Sequence, residues 1–304
     1  MFKKICIIGC GLIGSSILRA INNKKLSTTT SACDKSKSVL NFLKKEKLSN
    51  EVTSDIRLAV KDSDLVIISA PLSSYAEILK SIGDHISNNA ILTDTGSVKV
   101  EINKIVDRSA LKKSISWIAS HPIAGTEQSG PEAGFAELFQ NRWNILCPSK
   151  NSTKEHLEIL KEFWKNLGSN IKVMDFDEHD KILSLTSHLP HAVAYNIVRS
   201  SLGSNEKVKD QVIKYSAGGL RDFTRIASSD PTMWRDIFID NSENVIKALD
   251  DFSKNIEEFK RLVMDKNGDK LLEIFSSTKD VRRAIIEEGQ DVDKPDFGRK
   301  KKLN

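Results

Sequence analysis

The stretch Ile5-Cys6-Ile7-Ile8-Gly9-Cys10-Gly11-Leu12-Ile13-Gly14-Ser15-Ser16-Ile17-Leu18-Arg19-Ala20-Ile21 decides the fold. Its four consecutive apolar residues suit a strand buried on both faces of a parallel sheet. A helix-like segment, Ser15 to Ile21, follows the glycines at once. Gly9 permits a tight turn, Gly11 lets a pyrophosphate approach the backbone, and Gly14 lets the helix lie close to the strand. The first N–H groups of that helix face the phosphates with a partial positive charge. A second strand, Thr29 to Cys33, ends at Asp34, one helix and one strand beyond Gly14. Its carboxylate suits a ribose diol and repels a 2′-phosphate, which favours NAD over NADP. Lys35 and Lys37 beside it weaken that preference. Alone, the loop also fits a flavin, another nucleotide or a site that has lost its ligand. Strand, glycines, helix and acidic residue together predict a nicotinamide dinucleotide at Gly9, Gly11, Leu12, Ile13, Gly14 and Asp34. Ala70 and Pro71, where the third strand stops, complete that set.

Further strands are expected at Asp64 to Ala70, Ala90 to Asp94, Trp117 to Ser120, Trp143 to Cys147 and Ile171 to Met174. Helices are expected between them, at Lys37 to Lys47, Tyr75 to Ile86, Val98 to Arg108 and Lys154 to Leu167. This alternation predicts a Rossmann-type doubly wound parallel sheet, an α/β NAD-binding domain over residues 1–174. From Glu178 onward, apolar residues recur at helical spacing in Ala192 to Leu202, Trp234 to Leu249 and Phe252 to Met264. An all-helical substrate and dimerisation domain is expected over 175–290. Residues 291–304, with Arg299-Lys300-Lys301-Lys302, read as a basic flexible tail.

Composition narrows the function. Net charge is +5, too little to argue for nucleic acid but enough to help gather a small anion. The basic tail has no aromatic platform beside it, so no nucleic-acid partner is expected. No apolar run reaches membrane-spanning length, and glycines interrupt the N-terminal run too early for a signal peptide. The four cysteines, Cys6, Cys10, Cys33 and Cys147, show no disulfide or metal spacing, which points to a reduced cytoplasmic compartment.

Three segments place polar groups where a plain core would not. In Asp94-Thr95-Gly96-Ser97-Val98-Lys99, Ser97 lies beyond the carboxyl end of a strand, where open α/β sheets bind ligands. Ser97 also suits a helix N-cap, and both readings stand. In Ser120-His121-Pro122-Ile123-Ala124-Gly125-Thr126-Glu127, His121 follows a strand at the same edge and is a candidate acid or base. In Ser187-His188-Leu189-Pro190-His191, two histidines share a helix face. No further ligands stand in register with them, so no metal is expected. Arg221 and Arg225, four residues apart, suit a bidentate carboxylate clamp. They equally suit a surface pair bridged to Asp222 and Asp230.

With Asp222-Phe223-Thr224-Arg225 and Ser229-Asp230-Pro231-Thr232-Met233-Trp234, these motifs occur in an order that resembles the prephenate/arogenate (cyclohexadienyl) dehydrogenase family of tyrosine biosynthesis. The likeness covers residues 1 to about 240. It implies NAD-dependent oxidative decarboxylation of prephenate to 4-hydroxyphenylpyruvate. Arogenate, or both substrates, is the alternative, and a non-catalytic NAD sensor is a weaker one. A β-hydroxyacid dehydrogenase is disfavoured, because histidines stand where its lysine base is expected. By the resemblance, His121 accepts the 4-hydroxyl proton, Ser97 assists, and Arg225 holds a carboxylate. His191 contacts substrate, while Thr126, Trp234 and the basic Arg221 line the pocket and Glu127 gates it. Thr95 departs from the family's usual residue without evident consequence. No chorismate mutase extension or regulatory domain is recognisable, which implies a monofunctional enzyme, expected as a homodimer.

Overall fold

The computed structural model describes residues 2–109, 111, 114–201 and 206–288. The basic tail expected over 291–304 lies outside them. An eight-stranded sheet is built from β1 (Phe2–Ile8), β2 (Ser27–Cys33), β3 (Glu51–Thr53), β4 (Leu65–Ile68), β5 (Ile91–Asp94), β6 (Ser116–Pro122), β7 (Trp143–Pro148) and β8 (Asn170–Val173). Their order is β3-β2-β1-β4-β5-β6-β7-β8. β1 through β6 run parallel. β7 runs antiparallel to β6, and β8 runs parallel to β7. The sequence alternation predicts parallel strands throughout, so this pair departs from it. The cause lies in residues 123–142, whose only helical element is the short turn Pro131–Ala133. A parallel return needs a longer crossover, usually a helix, and without one the chain doubles back. β3 and the five-residue α3 (Ile56–Val60) are additions too short to show periodicity in the sequence.

The strands are buried by helices on both faces: α1 (Leu12–Lys24), α2 (Lys37–Lys45), α4 (Tyr75–Ile82), α5 (Val100–Arg108) and α6 (Lys154–Asn166). Strand side chains alternate between faces. Cys6, Ile8, Val66, Ile68, Trp117 and Ala119 pack with Tyr75, Leu79 and Ile102 of α4 and α5. Ile5, Ile7, Leu65, Ile67 and Ile118 pack with Ile17, Ile21, Leu160 and Trp164 of α1 and α6.

The chain then becomes helical: α7 (Phe176–Leu183), a π turn at Ser184–His188, α8 (Leu189–Ser201), α9 (Glu206–Tyr215), α10 (Gly218–Ile226), α11 (Pro231–Asp240), α12 (Ser242–Met264) and α13 (Gly268–Glu287). The periodicity read over Trp234 to Leu249 is broken at Asn241, which joins α11 to α12 outside helical geometry (φ −113°, ψ 29°). The π turn precedes Pro190, whose missing N–H and ring would disturb a regular helix. Leu183, Trp234 and Ile237 join the core on the α4–α5 face, so α7 and α11 are docked under the sheet. Among the described residues, no helix is long and apolar enough to cross a membrane.

Candidate active site

The order β2-β1-β4 makes the ends of β1 and β4 the point where the sheet's winding reverses, the usual position of a ligand crevice. Gly9 turns there with φ +86°, and a Cβ on it would stand 2.6 Å from the Ser69 carbonyl oxygen. A Cβ on Gly14 would stand 2.1 Å from the Gly9 oxygen, so the helix can approach only without a side chain. A Cβ on Gly11 would meet nothing within 4 Å, which leaves that face of the loop open. The α1 N-terminus has no side-chain cap and no acidic residue in its first turn, so its N–H groups are free to receive phosphate. Asp34 accepts from the backbone N–H of Cys10 (2.9 Å) and of Ser36 (2.8 Å), bracing the loop. Leu12, Ile13 and Ala70 are half-buried and Pro71 is exposed beside this crevice. The loop, the uncapped helix end and the acidic strand end fit an NAD. Residues 131–135 close the far side of α1: Ser15 donates to the Pro131 carbonyl (3.2 Å), and Ser16 accepts from the Phe135 N–H (3.1 Å).

His121 is the penultimate residue of β6 and is buried. By alternation it shares the face of Trp117 and Ala119, against which α7 is docked. Its Nδ1 lies 2.8 Å from Nε2 of His179, whose Nδ1 lies 2.8 Å from Oδ1 of Asp180. The carboxylate decides the tautomers. His179 donates from Nδ1 to Asp180 and accepts at Nε2, so His121 donates from Nδ1 and keeps Nε2 as an acceptor. Burial, with His179, Lys99 and His188 nearby, pushes His121 well below the usual imidazole range. Burial and the Lys99 ammonium push His179 down to about 2. Both rings are therefore neutral near pH 7.

Asp180 also accepts from the backbone N–H groups of Lys99 (2.8 Å) and Val100 (2.9 Å) at the start of α5. A carboxylate from α7 thus caps α5, and Ser97 does not serve as its cap. Ser97 is half-buried in the turn between β5 and α5. Asp94, wholly buried, accepts from the Lys99 ammonium (2.6 Å), the Tyr75 hydroxyl (3.1 Å) and the N–H groups of Gly96 and Ser120 (2.9 Å each).

His191 stacks on Trp234 (ring centroids 3.6 Å apart, planes 21°) and donates from Nδ1 to the Ser187 carbonyl (2.9 Å). His188 accepts at Nδ1 from Asn241 (3.1 Å), and burial pushes it down to about 4. Its Nε2 and the indole Nε1 of Trp234 are buried without a partner. Two donors thus stand unsatisfied in the helical wall, a costly arrangement in a finished core. The other candidates lie apart from this cluster. Arg225 is exposed and Arg221 half-exposed on α10, at 4.0 Å and 3.8 Å from Asp222. Asp230, the other carboxylate considered for them, caps α11 instead. Thr126 is exposed in the β6–β7 connection and accepts from the Gln128 N–H (3.2 Å).

A family model described as the prephenate dehydrogenase nucleotide-binding domain matches residues 17–173, and the prephenate dehydrogenase dimerization domain matches residues 175–277. The chain belongs to the prephenate dehydrogenase family. A cyclohexadienyl dehydrogenase of Zymomonas mobilis is 37% identical across 94% of this chain and 97% of its own length. A prephenate dehydrogenase of Bacillus subtilis is 32% identical across 94% of this chain and 76% of its own. The crystal structure of prephenate dehydrogenase from Aquifex aeolicus in complex with hydroxyphenyl propionate and NAD+ superposes with a TM-score of 0.86 at 32% identity. It covers 94% of this chain and 99% of that one.

His179, Asp180 and Asn241 are not foreseen from the sequence. In Asp175-Phe176-Asp177-Glu178-His179-Asp180, the exposed Asp175, Asp177 and Glu178 precede the two buried residues and mask them. The available signal was that Asp180 and Leu183 stand three apart on α7, with His179 four from Leu183, so all three share the buried side.

Proposed function

We propose that this chain catalyses NAD-dependent oxidative decarboxylation of prephenate, and that the Asp180–His179–His121 chain carries the reaction's proton transfer. The observation behind it is the buried chain in which His121 Nδ1 lies 2.8 Å from His179 Nε2 and His179 Nδ1 lies 2.8 Å from the Asp180 carboxylate, an arrangement that leaves His121 Nε2 as the acceptor. Bound NAD supplies the hydride acceptor. As hydride leaves C4, His121 takes the 4-hydroxyl proton at Nε2, and His179 steadies the ring through Nδ1. The electron pair of the breaking ring–carboxylate bond enters the ring, carbon dioxide departs, the phenolate oxygen so formed takes the proton back from His121, and aromatisation drives the step. Ser97 assists at the hydroxyl. Arg225 holds a substrate carboxylate, with Arg221 adding positive charge. His191 and Trp234 form the helical wall, and Thr126, exposed on the β6–β7 connection, has a supporting role at the substrate. Gly9, Gly11, Leu12, Ile13, Gly14, Asp34, Ala70 and Pro71 hold the dinucleotide. Residues 1–174 make the NAD-binding domain and 175–290 the helical one, through which the enzyme dimerises in the cytoplasm.

The test is NADH absorbance with prephenate and arogenate, each against NAD and NADP. Prephenate with NAD is the expected best pair. The Zymomonas mobilis relative supports a second reading in which arogenate is also used, and the same assay separates the two. His121→Asn is expected to lower turnover by roughly 10²–10⁴ while NAD still binds. Near-normal turnover in that variant would remove His121 from the chemistry.

A further inference from the structure

Lys99 has the rare position of a lysine with no exposed side-chain area, paired at 2.6 Å with an equally buried Asp94. An apolar pair of the same volume would stabilise a core at least as well. Stability alone therefore does not account for a lysine here. Its two polar ends lead to the same place. From the ammonium, the path runs to Asp94, whose other oxygen accepts from the Ser120 N–H (2.9 Å) and whose carbonyl accepts from the Ser120 hydroxyl (2.5 Å). Ser120 is the residue before His121. From the backbone N–H, the path runs to Asp180 Oδ1, then to His179 and to His121 Nδ1, each step 2.8 Å. One arm holds the main chain of the histidine, and the other holds its ring.

We propose that Lys99 is a positioning residue for His121, closing a ring of hydrogen bonds through Asp94, Ser120, His179 and Asp180 and holding a positive charge beside the imidazole. The inference rests on the proton transfer assigned to His121 above. The groups acting on His121 are His179 from α7, Lys99 from the β5–α5 turn and His188 from the π turn, with Asp180 behind His179 and Asp94 behind Lys99. On β7, the Cys147 thiol is pushed up to about 12 by burial and adds no charge. Lys99 is thus the nearby cation that opposes a second proton on His121. It keeps Nε2 an acceptor in acidic solution, and its two arms keep that nitrogen aimed at one point.

The experiment compares the full-length wild type, Lys99→Met, Lys99→Arg and the Asp94→Asn/Lys99→Met double variant. kcat and kcat/KM for prephenate with NAD are followed from about pH 5 to about pH 9, alongside circular dichroism and the Kd of NAD. Wild-type NADH formation in the same series separates a failure of the activity from a failure of this inference. In Lys99→Met the acid limb of kcat/KM is expected to move up by about one pH unit, and in the double variant, which also removes the opposing Asp94 charge, by less. Their kcat at neutral pH should fall about tenfold or more, with the Kd of NAD within about twofold of the wild type. Lys99→Arg, which keeps the charge but displaces the donor, should keep the limb and lose part of kcat. The double variant leaves no buried charge unpaired and decides the matter if Lys99→Met does not fold. A wild-type limb and wild-type kcat in the double variant overturns the proposal. A limb shift in Lys99→Arg equal to that of Lys99→Met also overturns it.

Discussion

Asp180→Ala separates the two tasks of a single carboxylate. Asp180 sits 1% exposed and accepts three N–H groups, two from the start of α5 and one from His179. Removing an N-cap acceptor costs about 0.5–2 kcal/mol. Losing the negative charge at a helix N-terminus costs about 0.3–1 kcal/mol, more where partly buried. The orphaned His179 N–H adds about 1–3 kcal/mol. Burial works the other way, lifting the Asp180 carboxyl above its usual range, so part of its desolvation cost is recovered. A net loss of roughly 2–4 kcal/mol is expected, a drop in melting temperature of several degrees for a chain of this size, about 4–10 °C. The chemical effect is separate. Without Asp180 nothing forces the proton of His179 onto Nδ1, and His121 loses its enforced acceptor nitrogen. Turnover is expected to fall by about 10²–10⁴, while NAD affinity, proposed to rest on the glycine loop and Asp34, stays near the wild type. The assay pairs a circular-dichroism melt with prephenate-dependent NADH absorbance and NAD binding. A melt within about 1 °C of the wild type would refute the capping argument. Turnover within about threefold would refute the tautomer argument even if stability fell.

Three further outcomes are open to measurement. His121, His179 and His188 all have folded pKa values below the unfolded imidazole value, so the unfolded chain binds protons first as pH falls below about 6.5. Stability should therefore drop by roughly 2–4 kcal/mol per pH unit between about pH 6 and pH 5, with Asp180 opposing it. A melting temperature that is flat over that range contradicts the burial of these rings. Gly11→Ala should leave the melt unchanged and weaken NAD binding, because its Cβ meets no protein atom. Gly14→Ala should lower both, by about 1–3 kcal/mol in stability, because its Cβ falls 2.1 Å from a backbone oxygen; equal melts for the two variants would contradict this. Arg225→Ala is expected to raise KM for prephenate with little change in the Kd of NAD, and an unchanged KM would remove the carboxylate role.

The dinucleotide end was legible because its chemistry is local. Turn, helix end and acidic strand end fall within residues 5–34, and each is dictated by backbone requirements that residue types reveal. The strand–helix alternation was legible for the same reason. The reversal at β7 was not, because it depends on a missing crossover helix rather than on the strands themselves. The proton chain was half legible. His121 stands at a strand end where ligands bind, but His179 is 58 residues away and gains meaning only when α7 docks. Lys99 and Asp94 lie in a motif that sequence reading notices, yet their burial is a tertiary fact. Trp234 is visible as a residue type, but its stacking on His191 is not.

The doubling back of β7 has a consequence for modularity. Because β7 and β8 run against β6, β8 ends at the level of Ser120, through the pairs Val173–Leu146 and Leu146–Ser120, with the Cys147 thiol 3.7 Å from the Asp175 carbonyl. α7 is thereby delivered to His121 within a few residues of the last strand. A fragment ending at Met174 would keep every residue of the glycine loop and Asp34, yet lack both His179 and Asp180. Such a half-protein is expected to recognise the dinucleotide without being able to direct a proton. Supplying the missing helices as a separate chain would then make recovered turnover a direct readout of domain docking.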